Sequence, residues 1–526
     1  MLAPDGAPVD VDLAYTLAAN EGVCVRPLLR KVTDRATGDV RTVPIRCGST
    51  RESACPPCAT KARRVRMQQC REGWHLTEDP PLPERGLDEE PGGHEDGEDP
   101  GEVEQSQSER RVRSTRRRQD APGLPRVPME DRTTGQAFTA PDGTCYRPSM
   151  FITWTLPSYG KVIPGTGIPA DPARYDYRRA ALDALHFPKL VDRLWQNLRR
   201  CAGFKVQYFS AVEAQRRLAP HLHAAIRGAI PRKTIRQVTK ATYFQLWWPV
   251  FDEVRYQGDR LPVWDREAGG YCDPHTGRAL RTFRDALDEL DDDPDAKPAH
   301  VVRFGQQTDV KGLLAGSKDS ERAVGYLCKY LTKSVADTYA DPAKSGLTED
   351  QHTAYEAHID RLHEQVLWLP CSPECANWLR YGIQPDAAGP GLTPGRCPSP
   401  HHDRENLGIG GRRVLVSRQW SGKTLTEHHA DRAAVVRQAL EAAGIEAPEA
   451  DRCASDVLDD DGLPRFVWED VPVDQRDYPA VILASVREHR AWKAQYERAK
   501  SIRDGTGPPV DDRSATKQPA VMGAAR

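Results

Sequence analysis

Phe204-Lys-Val-Gln-Tyr-Phe-Ser-Ala-Val-Glu213 runs through the polar connector Ala214-Gln-Arg-Arg-Leu-Ala-Pro220 into His221-Leu-His-Ala-Ala-Ile-Arg227. Aromatic and β-branched residues dominate the first stretch, and apolar residues alternate in the second, so the segment predicts two strands joined as a hairpin. On a strand, alternate side chains share a face. His221 and His223 therefore point one way while Leu222, Ala224 and Ile226 point to the core. Two convergent imidazoles make half of a divalent-metal site. Glu213, at the end of the preceding strand, would bring a carboxylate beside them. The plain alternative is a pair of ordinary surface histidines.

Working outward, Phe151-Ile-Thr-Trp-Thr-Leu156 is a β-rich run that stops at Pro157. Pro188–Cys201 predicts a helix, with Pro188 in its first turn and Leu190, Leu194 and Leu198 spaced by four. Helices are also expected over Lys233–Trp247 and Ser320–Val335. Strand, helix, two strands and two more helices imply an α+β domain with an antiparallel sheet. In the last helix, 100° per residue puts Val324, Leu327, Cys328, Leu331 and Val335 on one apolar face. Tyr326, Lys329, Tyr330 and Lys333 fall together on the opposite face. A lysine beside a phenol favours phenolate and can hold a phosphate; a solvated or DNA-contacting face is the alternative.

Length, charge and cysteines set the frame. At ~150 residues per domain, 526 residues suggest three or four units. No apolar run approaches the ~18 residues of a membrane span, and residues 1–22 lack a signal-peptide pattern, so a cytoplasmic protein is expected. The net charge of −2 hides two acidic blocks, Glu84–Glu104 at −9 and Asp285–Asp295 at −7. The rest of the chain carries +14, the footprint of a nucleic-acid binder. Boundaries are expected at 1–75 (zinc-binding module), 76–145 (disordered charged insertion with an Arg-rich stretch at 110–118), and 146–340 (the histidine-bearing domain, with an acidic insertion at 285–298). A second zinc-binding module at 341–430, a helical region at 431–503 and a disordered tail at 504–526 complete the order.

Thirteen cysteines without a secretion signal read as metal ligands and thiols rather than bridges. Cys55-Pro-Pro-Cys58 is a CxxC knuckle, with Cys24 and Cys47 upstream to complete a ribbon-like zinc site. Cys371, Cys375 and Cys397 form a second cluster, completed by His402 or its neighbour His401. Both sets look structural. Cys70, Cys145, Cys201, Cys272, Cys328 and Cys453 fall outside either set. Ser421-Gly-Lys-Thr424 ends like a phosphate-binding loop, but the required first glycine falls at Ser417, so it is not one.

Taken in order, FITWTL (151–156), PHLHAAIRG (220–228) and YLCKYLTK (326–333) resemble the three motifs of HUH-type rolling-circle replication initiators, including their two-tyrosine variant. The likeness is closest to actinobacterial replication initiators of plasmids and integrative conjugative elements, and covers most of the chain. RCGSTRESACPPCA (46–59), CSPECANWLRYG (371–382) and GGRRVLVSRQWSGKTL (410–425) add to it. The resemblance implies an HUH endonuclease domain with a central, ferredoxin-like antiparallel sheet. His221, His223 and Glu213 would hold Mg²⁺ or Mn²⁺, with Gln215 as the alternative third ligand, and Tyr326 or Tyr330 would be the nucleophile, aided by Lys329. It further implies origin DNA as substrate, a 5′-phosphotyrosine adduct with a 3′-hydroxyl primer, and a helicase and polymerase from the host. A conjugative relaxase is the nearest alternative, but in that class the tyrosine precedes the histidines. A non-catalytic, zinc-dependent DNA-binding regulator is the alternative from another class.

Overall fold

A computed structural model describes residues 11–74, 76, 78–80, 123–134, 138–139, 141, 143, 145–146, 148–314, 316–329, 331–332, 335, 346–410, 413–441, 457–459, 461–472 and 476–503. The acidic block at 84–104, the Arg-rich stretch at 110–118, Tyr330, Lys333, Cys453 and the tail from 504 lie outside the described residues. The chain divides into two compact units. Among the described residues, no helix is long and apolar enough to cross a membrane.

The larger unit comprises 70–330 and 334–422. Its main elements are β1 (Pro148–Thr155), α1 (Tyr177–Ala202), β2 (Gln207–Ala214), β3 (Pro220–Arg227), α2 (Arg232–Ala241), β4 (Thr308–Leu314), α3 (Lys318–Leu327), α4 (Glu349–Trp368) and β5 (Val414–Val416). The five strands form one sheet in the order β4-β1-β3-β2-β5, and every neighbouring pair is antiparallel. The hairpin expected at 204–227 is the β2–β3 pair, with Glu213 opposite His221 and Ala211 opposite His223. Trp154, Val212, Leu222, Ala224 and Ile226 pack with Leu190, Leu194 and Leu198 of α1 and Ile235 and Val238 of α2 in one core. At ~25 cal/mol per Å² of apolar area, each such buried aliphatic side chain contributes roughly 1.5–3 kcal/mol.

Three expectations for the helices are corrected. Helix α1 starts at Tyr177, capped by Asp176 and closed by Gly203 at φ 75°, so Pro188 lies inside it rather than in its first turn. The cost of the missing amide at Pro188 is outweighed by burial of Ala180, Ala181, Ala184, Leu185 and Phe187 in the preceding turns. Helix α2 ends at Ala241, and Tyr243–Leu246 pairs as a strand with His300–Arg303. Tyr243 and Phe244 have the side chains that suit a half-buried pleated surface. Helix α3 ends at Leu327 instead of continuing to Val335, since Cys328 leaves helical geometry at φ −94°, ψ 0°. Four of the five stripe residues are nevertheless buried, Val324, Leu327, Cys328 and Val335 all at or below 2% exposure, while Leu331 is half-buried.

The acidic stretch from Asp285 opens in a helix, Phe283–Asp292, started by a reciprocal capping box between Thr282 and Asp285. Arg227 of β3 is buried; its guanidinium donates to the carbonyls of Gly73, Gln419 and Trp420 and to the Thr133 hydroxyl. Burial brings its pKa down to about 10.

The smaller unit comprises 1–69, 331–333 and 423–526. Strands Val40–Ile45, Leu28–Asp34 and Phe466–Asp470 form an antiparallel sheet, and Arg465 grips Asp34 through two hydrogen bonds of 3.0 and 2.8 Å. Helix Val11–Glu21 packs on Tyr478–Arg503 through Ala18, Ile482 and Val486. The SGKT stretch ends in a helix cap: Thr424 and Glu427 exchange hydrogen bonds at the start of helix Leu425–Glu441, and Lys423 pairs with Asp431 at 2.7 Å.

Candidate active site

Strand pairing, not chain proximity, assembles the site. Glu213 at the end of β2, His221 and His223 on β3 and Thr153 on β1 occupy one face of the sheet, because Thr153 stands opposite His223 and Glu213 opposite His221. The two imidazole Nε2 atoms lie 3.1 Å apart. The Glu213 Oε2 is 3.1 Å from His223 Nε2 and 3.4 Å from His221 Nε2. Adjacent donors around a small divalent ion with bonds of ~2.0–2.2 Å are separated by about 3.0–3.4 Å. The three donor atoms have that spacing, all three side chains are buried, and the group could hold a metal ion.

Electrostatics agree with ligation. Burial pushes the Glu213 carboxyl up, but the His221 and His223 rings facing it outweigh burial and hold it below the usual carboxylate range. Burial lowers the His221 imidazole, which keeps it neutral, the form that binds metals. Gln215 is turned away: its side-chain oxygen accepts from Arg217 Nε at 2.8 Å.

Tyr326, in the last turn of α3, is 40% exposed, on the side opposite the buried Val324. Its hydroxyl lies 3.4 Å from His223 Nε2. Its ring stands perpendicular to His223 at 4.9 Å and edge-on to Phe151 at 6.1 Å. Lys329 is exposed and lies just beyond the helix, its amide donating to the Tyr326 carbonyl. The arrangement brings a solvent-reachable phenol against a buried carboxylate–imidazole cluster.

Both cysteine sets come together. In the smaller unit, Cys24 precedes the hairpin Leu28–Ile45, Cys47 follows it, and Cys55 and Cys58 stand at the start of helix Pro56–Trp74. Cys55 and Cys24 sulfurs are 3.8 Å apart. In the larger unit, Cys371 and Cys397 sulfurs are 3.9 Å apart and Cys375 Sγ is 3.5 Å from His402 Nε2. A zinc tetrahedron with ~2.3 Å Zn–S and ~2.0–2.1 Å Zn–N bonds has edges of about 3.8 Å between sulfurs and 3.5 Å from sulfur to nitrogen. Both groups could hold zinc. His402 is fixed by its other ring nitrogen, 2.7 Å from the Val366 carbonyl, whereas His401 is turned to the Gly408 carbonyl at 2.8 Å. Burial would lower His402, but the Cys371 and Cys397 sulfurs bring it up to about 10, and hydrogen bonds from Cys371 and Cys375 pull the Cys397 thiol far down. This places negative charge on Cys397 beside a protonated His402, while hydrogen bonds from Cys371 and Cys397 push the Cys375 thiol far up.

A family model described as replication initiator protein, pSAM2 (RepSA), matches residues 10–479. The chain belongs to this family. Membership gives this initiator a role in plasmid replication initiation. Neither the curated proteins nor the solved structures yield a match. Two further residues of this initiator, Phe151 and Thr153, flank the His223 ring. Both lie in the quoted strand 151–156 at alternate positions, and only their register against β3 marks them out.

Proposed function

We propose that the protein is a rolling-circle replication initiator of the HUH type, which nicks one strand of a plasmid or mobile-element origin by tyrosine transesterification. The observation that carries this reading is the exposed Tyr326 hydroxyl 3.4 Å from the His223 nitrogen on which Glu213 and His221 also converge. Mg²⁺ or Mn²⁺ held by Glu213, His221 and His223 would polarise the scissile phosphate and offset charge on its oxygens.

The Tyr326 phenol loses its proton, and its oxygen attacks phosphorus. The bond from phosphorus to the 3′ oxygen breaks, and that oxygen takes up a proton to become the 3′-hydroxyl primer. The 5′ phosphate stays on the tyrosine, so the linkage can be reversed or passed to another strand. Lys329 would favour phenolate by bringing its positive charge to the phenol. Tyr330 would serve the second transfer. Zinc in the two cysteine groups would act structurally, by supplying folding free energy. Nothing in the chain resembles an ATPase, so unwinding and synthesis would come from a helicase and polymerase of the host.

The test is incubation of the full chain with single-stranded origin DNA and Mn²⁺, then a denaturing gel and peptide mapping. A covalent adduct on a peptide containing Tyr326 or Tyr330, abolished by EDTA, is expected. Site-specific DNA binding with no adduct in any divalent metal would replace this reading by that of a non-catalytic DNA-binding regulator.

A further inference from the structure

Thr153 and His223 face one another across the β1–β3 ladder, and the Thr153 hydroxyl oxygen lies 2.8 Å from His223 Nδ1. Phe151 closes the same ring from one side, stacked at 5.9 Å with 20° between planes. His221 has no such support: its Nδ1 is buried and lacks a hydrogen-bond partner among the described residues. The two imidazoles of the cluster are therefore held unequally.

A neutral imidazole carries one proton. If Nε2 is to donate its lone pair to a cation, that proton must sit on Nδ1, and the Nδ1–H needs an acceptor. The Thr153 hydroxyl provides one. A hydroxyl can also donate, so it equally accommodates the other tautomer, in which Nε2–H donates to Glu213 Oε2 at 3.1 Å. A carboxylate or carbonyl at position 153 would accept only.

We propose that Thr153 is a positioning residue of the cation site: by turning its hydroxyl from donor to acceptor it lets His223 move its proton from Nε2 to Nδ1 as the divalent ion enters. The inference rests on reading Glu213, His221 and His223 as that ion's ligands. It adds a residue whose contribution reaches the ion only through His223.

The experiment is calorimetric titration of Mn²⁺ into the full-length wild type, Thr153→Val, Thr153→Ser and His223→Ala, with ¹⁵N-histidine NMR of the wild type in Mg²⁺. Binding that is present in the wild type and absent in His223→Ala defines the site. Thr153→Val should weaken that binding by about tenfold or more, and Thr153→Ser should restore it to within about twofold. Mg²⁺ should shift the His223 proton to Nδ1. Wild-type Mn²⁺ affinity in Thr153→Val would overturn the role of Thr153 while leaving the cation site standing, whereas a His223 Nδ1 that stays unprotonated in saturating Mg²⁺ would overturn both, because ligation through Nε2 requires that proton. No binding that His223→Ala removes would overturn both readings. Should Thr153→Val fail to fold, Thr153→Ala, which also deletes the hydroxyl, takes its place: weakening of about tenfold or more supports the role, and wild-type Mn²⁺ affinity overturns it.

Discussion

The Tyr326 hydroxyl lies 3.4 Å from His223 Nε2, although 103 residues separate the two in the chain. Edge-to-face packing of Tyr326 on both His223 and Phe151 holds the ring while 40% of the residue remains exposed. A phenylalanine keeps those contacts and deletes only the attacking oxygen. Tyr326→Phe is therefore expected to bind single-stranded origin DNA with wild-type affinity and to lose the first covalent adduct on a denaturing gel. Tyr330→Phe is expected to lose only the later strand transfer. The opposite pattern would exchange the two roles, and an adduct in the double variant would place the nucleophile elsewhere.

Removing a ligand should separate chemistry from binding. His221→Ala and His223→Ala are expected to abolish nicking while duplex binding stays nearly unchanged, because lysine and arginine contacts to phosphate dominate affinity. Glu213→Ala should behave like them, and Gln215→Ala should nick normally, since that side chain is engaged by Arg217. Nicking assays with and without added Mn²⁺, beside filter binding, read both quantities. Full-rate nicking by the double histidine variant would remove the metal assignment.

Elemental analysis of protein purified without chelator should find about two zinc ions per chain. Cys55→Ser should lose one of them and lower the melting temperature of the smaller unit, where Cys55 is fully buried beside Cys24. His402→Ala should lose the other, whereas His401→Ala should retain it because His401 faces Gly408. Zinc-free protein with an unaltered melting curve would refute this without touching the nicking chemistry.

Arg227 should matter to stability rather than to catalysis. Its guanidinium satisfies three backbone carbonyls and the Thr133 hydroxyl in a buried setting and lies over the Trp420 ring at 5.7 Å. Arg227→Met leaves those acceptors unsatisfied, at roughly 1–3 kcal/mol each before relaxation, so a loss of about 3–5 kcal/mol is expected in urea unfolding. Gly73→Ala should also destabilise, as a Cβ there would stand 2.2 Å from the Trp420 ring. A shift in urea midpoint too small to resolve for either variant would contradict the packing described.

The sequence by itself determined the parts that follow from local periodicity. Alternation along 221–227 sets both imidazoles on one face of a strand, and the 3.6-residue period sends Tyr326 away from the stripe of Val324 and Leu327. Spacing alone likewise grouped the cysteines. What depends on partners far along the chain was decided only by the tertiary structure. Strand Phe466–Asp470 pairs with Leu28–Asp34, and β1 sets Thr153 against His223, through ladder hydrogen bonds that any strand of suitable length could make. The end of α3 at Leu327, the strand at Tyr243–Leu246 and the passage of α1 through Pro188 were settled by burial and pairing that outweigh local preference. The choice of His402 over His401 has the same origin: adjacent residues are alike in the sequence, but the short helix at Pro400–His402 points one ring at Cys375 and the other at Gly408.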